Sequence, residues 1–244
     1  MDEMLFKVNS FAVYSFSLLV VFSFLWGSFI FYKKAIESHF EELPVLDTIV
    51  FIGFWSFIWG RVFFFLLNLA VFKDHWIRIF FLKDYPGLNH WGLIAGLLFG
   101  LFLSLKNLKT KYVDWLDLVM LGMLGGLPVY FAGLCLVSFT WYNLALAVLL
   151  SIAFGFFWKA ENDYRTYSWY RYKKTQAKTG FLSGSGLVVF GIVNILVQIF
   201  GNWSLIEVLL DISLIVAGIV LVYIRSGRTV KEDIKIVSKY GRKK

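Results

Sequence analysis

The chain has 244 residues, 59% of them hydrophobic and only 16% charged, with a mean hydropathy of +0.71. Soluble domains run at about 45–50% apolar and about 25% charged, so an ordinary water-soluble domain is excluded. One Cys excludes a disulfide framework and a Cys-ligated zinc site. The net charge of +8 comes with no stacking or recognition motif, which fits basic membrane-flanking loops rather than nucleic acid.

A crossing helix needs about 20 mostly apolar residues, because a rise of ~1.5 Å per residue must cover ~30 Å of hydrocarbon. In chain order the sequence predicts seven spans, at 11–32, 45–72, 88–105, 114–137, 141–158, 181–200 and 203–224. The expected fold is an all-α integral membrane protein, a seven-transmembrane-helix bundle. Residues 1–228 form its membrane domain and 229–244 a basic tail. The start MDEMLFKVNS has no cleavage signal, so the first helix is expected to stay uncleaved.

Most of the 24 Lys and Arg residues fall on one side of these spans, among them Lys33, Lys34, Lys106, Arg165, Lys173 and the tail. The positive-inside bias then places the N-terminus outside and the C-terminus in the cytoplasm. The stretch 75–82 reads as an interfacial helix or as an aromatic-rich loop. The stretch 164–176, aromatic and basic together, suits the headgroup boundary, and the tail suits anionic lipid.

Ionisable groups inside a bilayer cost roughly 2.5–3.5 kcal/mol each on insertion scales and default to functional hypotheses. Arg61, His90, Glu207 and Asp211 are such groups, joined by Tyr14, Asn194 and Gln198. The span directions bring them to one depth near the outer face. Arg61 either pairs with Glu207 or Asp211 to hold the bundle or serves a ligand; His90 is either a satisfied interfacial residue or a catalyst. Asp47, Asp114 and Asp117 start spans, where they complement helix N-termini. Cys135 reads as a small buried hydrophobe. The ladders Gly92/Gly96/Gly100 and Gly122/Gly126 allow close helix approach, or leave room for an acyl chain. No Walker loop, dinucleotide fingerprint or HExxH motif is present, so no cofactor or metal is expected.

Several stretches resemble the bacterial prolipoprotein diacylglyceryl transferase family. The opening helix, FAVYSFSLLVVFSFLWGSFIFYKKA, is similar to the family's first span, with Tyr14 on its Tyr. The next, LDTIVFIGFWSFIWGRVFFFLLN, resembles an Asp-led helix ending in Gly-Ala-Arg, with Arg61 on the Arg. The third begins NHWGLIAG, similar to a His-Gly-Gly-Leu-Ile-Gly box, with His90 on its key His. The layout of the last two spans is also similar. The fourth span departs from the family signature: it reads GGLPVYFAG, with Gly126 in place of an Arg, Val129 and Ala132 in place of two Asn, and Gly133 kept. Asn194 and Gln198 stand where the family carries an Arg and a Glu, and the outer insertion after span four is reduced to a few residues.

The resemblance implies transfer of a diacylglyceryl group from phosphatidylglycerol to the Cys thiol of a prolipoprotein signal-peptide segment, in the bacterial inner membrane. His90, Arg61 and Tyr14 would be catalytic, and Asn194, Gln198, Gly92, Gly133 and Arg78 would bind substrate. With two phosphate-holding arginines lost, the alternative is a catalytically degenerate relative that binds lipid or protein. A small transporter is a third class, with the last-helix acids relaying ions.

Overall fold

The computed structural model describes residues 4–8, 11–72, 77, 87–106, 108, 112–137, 139–170, 179–199 and 205–226. A short antiparallel hairpin opens the chain, β1 (Met4–Val8) paired with β2 (Phe11–Tyr14), in a register that sets Met4 opposite Tyr14 and Val8 opposite Phe11. Among the described residues eight helices follow: α1 (Ser15–Glu37), α2 (Glu42–Leu67), α3 (Leu69–Phe72), α4 (His90–Leu105), α5 (Tyr112–Val137), α6 (Trp141–Tyr170), α7 (Phe181–Ile199) and α8 (Leu205–Ser226). All but the four-residue α3 belong to a helical membrane bundle, and six are long and apolar enough to cross a membrane. The seventh, α4, is apolar but has 16 residues.

Several bounds differ from the hydropathy reading, among them the end of the first helix at Glu37 rather than at residue 32. The first helix starts at Ser15 rather than at residue 11, because Phe11, Val13 and Tyr14 are good strand formers with a partner strand in reach. The second ends at Leu67, where Asn68 returns its backbone N–H to Phe64 and Phe65 and its side-chain amide to the Phe64 carbonyl. The sixth continues to Tyr170, about 18 Å past residue 158, since no Gly or Pro interrupts it. Arg78, nearly all of 75–82, and the tail lie outside the described residues.

Two helix pairs form the first half of the bundle. The α2–α4 pair closes along Gly92, Gly96 and Gly100: a Cβ on each would meet a backbone carbonyl of α2, at Trp59, Trp55 and Phe51 in turn. The partners run backward along α2, so the helices are antiparallel. Thr48 and Ser104 add a 2.6 Å hydroxyl contact farther along. The α1–α5 pair closes the same way, Gly27 against the Gly122 carbonyl and Gly126 against that of Ser23. The glycine spacing therefore serves close packing. Helix α7 lies on α8, with Gly184 against Gly218 and Gly191 against the Asp211 carbonyl. Large apolar side chains point outward instead: Leu205, Ile206, Leu209, Val216 and Ile224 of α8 are each more than half exposed. Such a surface suits hydrocarbon rather than water.

At the end of the bundle away from His90, Lys34 is buried, not a solvated loop cation. Its Nζ lies 2.6 Å from Glu161 Oε2, 3.3 Å from Glu37 Oε2 and 4.0 Å from the centre of the Trp158 ring, clasping α1 to α6. Asp117 complements a different helix from its own: its two oxygens accept the Gly180 and Ser183 N–H groups at 2.7 Å, capping α7. Replacing Lys34 by Met removes the cation that faces the buried Glu161 carboxylate, a loss of about 3–5 kcal/mol. Thermal unfolding in detergent should fall steeply for Lys34→Met and recover in the Lys34→Met/Glu161→Leu double variant.

Candidate functional site

Between the two glycine-closed pairs lies a cavity of about 340 Å³, walled by α1, α2, α4, α5 and Leu88. Its size falls in the range of about 300–1,000 Å³ usual for ligand pockets. The walls are overwhelmingly apolar, including Val20, Phe24, Phe31, Ile52, Leu93 and Leu97. Gly27, Gly53, Gly122 and Gly126 reach it without side chains, which widens the space. Polar groups enter at few points: Ser23, Ser28, Ser56, Tyr130 and His90. Ser23 Oγ is occupied by the Gly126 carbonyl at 2.7 Å. Ser56 Oγ is buried with no hydrogen-bond partner among the described residues.

His90 is the first residue of α4 and opens onto this cavity. The segment before it is tied down from several directions. Asn89 caps the helix, its Oδ1 accepting from the N–H groups of Trp91 at 2.9 Å and Gly92 at 3.3 Å. The backbone N–H of Asn89 donates to the Gly60 carbonyl at 3.1 Å. Gly87 has φ +151°, a region few L side chains adopt, and the Phe64 ring fills the place of a Cβ there.

Arg61 is buried near the end of α2, its Nη1 donating to the Gly87 carbonyl at 3.0 Å and its guanidinium 5.4 Å from the Phe64 ring centre. Arg61 does not pair with the last-helix acids. Asp211 is fully buried and its oxygens are both taken by amides of α7, Oδ1 by Asn194 at 3.2 Å and Oδ2 by Gln198 at 2.9 Å. Gln198 Oε1 remains buried and unpartnered among the described residues.

The polar groups expected at one depth thus divide between two places. His90 lines the cavity, and Arg61 is bonded to the segment that leads into it. Asn194, Gln198 and Asp211 form a separate triad at the α7–α8 contact and are not among the cavity walls. Gly92 and Gly133 are packing positions, the first against α2 and the second against Leu19. Tyr14 ends β2, immediately before α1. Asn89, Ser56 and Tyr130 were not singled out from the sequence. Asn89 carried a readable signal, an Asn directly before an apolar helical run; the other two depend on which way α2 and α5 are turned.

Antiparallel helices with polar and small residues inside, bulky apolar residues outside and an apolar cavity lined by a half-buried His define a multi-pass membrane protein with an internal pocket. Residues 3–133 match the family model of prolipoprotein diacylglyceryl transferase. That is more than half of the 244 residues, and the chain belongs to this family. The family is one of membrane transferases of lipoprotein biosynthesis, acting on lipid and prolipoprotein. No individual curated protein matches the chain. Every wall of the cavity lies within the matched segment, and the Asp211 triad lies outside it.

Removing the Asp211 carboxylate strands two buried amides, at about 1–3 kcal/mol each. Asp211→Ala should therefore lower the unfolding temperature of the detergent-solubilised protein. Asp211→Asn should lower it less, because the Gln198 amide can turn to meet the new group.

Proposed function

We propose that the chain transfers a diacylglyceryl group from phosphatidylglycerol to the Cys thiol of a prolipoprotein signal-peptide segment, in the bacterial inner membrane with its N-terminus outside. The observation that carries this reading is that His90, which the NHWGLIAG resemblance sets on the family's His, opens onto an apolar cavity of about 340 Å³ inside the family-matched segment. The walls suit acyl chains, and His90 suits a thiol. In the reaction the thiol sulfur forms a bond to the terminal glyceryl carbon of the diacylglyceryl group, and that carbon's bond to the phosphate oxygen breaks. His90 takes the thiol proton as general base, and glycerol phosphate leaves. Arg61 holds the Gly87 carbonyl, three residues upstream of His90 and so at most about 11 Å from it along the backbone. Its permanent charge favours the phosphate as negative charge develops on the leaving oxygen. Tyr14, at the end of β2 just before α1, orients the lipid.

One observation favours a second reading, a lipid-binding relative without turnover. Gly126, at the position of a family Arg, is a bare stretch of cavity wall packed on Ser23. The two readings separate in one experiment. A strain lacking its own transferase, carrying this chain, should attach labelled diacylglyceryl to a reporter lipoprotein, and His90→Ala should reduce the rate by about 10²-fold or more. A well-inserted wild-type chain that retains bound phospholipid but modifies nothing overturns the transferase reading. Release of glycerol phosphate on addition of a prolipoprotein peptide overturns the second.

A further inference from the structure

We propose that Asn89 is a positioning residue for His90, holding its backbone and supplying a cap that carries no charge; this rests on the role given to His90 above. The first residue of a helix has no intrahelical bond to hold its own N–H, so its direction depends on what caps the turn. Here the cap is Asn89 Oδ1, bound to the N–H groups of Trp91 and Gly92 on the far side of His90. On the near side the Asn89 N–H is fixed to the Gly60 carbonyl, and Gly87 to the Arg61 guanidinium. One turn on, Gly92 sits against the Trp59 carbonyl and the Gly60 Cα with no room for a Cβ. The His90 Cα is therefore held on both sides relative to α2, and its ring joins the cavity wall beside Leu88 and Leu93. An uncapped first turn frays, and a ring on a frayed turn leaves the wall.

The choice of Asn has a second consequence. Asp caps a helix as well as Asn does, but would set a carboxylate next to the imidazole and favour its charged form. A ring that must accept a thiol proton has to be neutral beforehand. Among the described residues the titratable groups on its side are Tyr130 of α5, in the same cavity, and Arg61 of α2, bonded to Gly87; neither favours a charged ring. A neutral cap keeps the ring available.

The test uses the full chain in phosphatidylglycerol vesicles with a prolipoprotein peptide, comparing Asn89→Ala, Asn89→Ser and Asn89→Asp. Loss of the cap in Asn89→Ala should lower kcat about 10-fold or more with little change in KM. Ser and Asp, which still cap, should restore kcat to within about threefold. Asn89→Asp should move the acidic limb of the pH–rate profile upward by about one unit, and Asn89→Ser should not. Wild-type kcat in Asn89→Ala, or an unmoved limb in Asn89→Asp, overturns the inference. Full activity of His90→Ala instead overturns the role of His90 and leaves Asn89 to a second measurement. That measurement is diethyl pyrocarbonate labelling of His90 in the same vesicles: fraying should speed it about fivefold or more in Asn89→Ala and not in Asn89→Ser. Equal labelling rates overturn the positioning role whether or not the chain turns over.

Discussion

An unpartnered polar group in hydrocarbon costs several kcal/mol, and that constraint orders the whole bundle. The side chains that α8 buries include the carboxylate Asp211, along with the bare backbone of Gly218, while Leu and Ile cover its outside. Asp211 is tolerated because two α7 amides meet it. Lys34 is tolerated because Glu161, Glu37 and the Trp158 ring surround it. Thr48 and Ser104 meet each other. Each of these inward contacts is also a joint between two helices, and each joint restricts how those helices are rotated.

Glycine does the rest of the joining. With lipid tails as apolar as Leu, helices gain little from burying Leu against Leu, and close backbone approach becomes the main attraction. The glycines of α4 seat it on α2, and those of α1 and α5 seat them on each other. Two tight pairs made this way need not fit each other tightly, and the cavity is the space between them. Packing and cavity therefore have one origin: the pairs that close most tightly leave an apolar gap between them.

The separation of the polar groups bears on how this family member works. The cavity and the His90 strap lie within the family-matched half, with α4 and its Asn89 cap fastened to α2. The second half lies outside the matched segment, and there Asn194 and Gln198 each spend an amide on Asp211. That arrangement stabilises the α7–α8 contact. In the described structure Arg61 is bonded to the segment that leads into His90, so in the transfer proposed above the leaving phosphate would rest heavily on it.

By itself the sequence determined the class of protein, six of the helices to within a few residues at most ends, the close-packing glycines, and the family resemblance through Tyr14, Arg61 and NHWGLIAG. These are legible because hydropathy and spacing add up locally along one helix. The tertiary structure alone decided the partners: Arg61 on Gly87 rather than on an acid, Asp211 on two amides, Lys34 inside rather than in a loop, and the hairpin in place of the first helical turn. A partner is set by how each helix is turned about its axis and which neighbour it meets. Those choices come from contacts between residues distant in sequence, such as Lys34 with Glu161 or Gly27 with Gly122, and no window along one helix contains them.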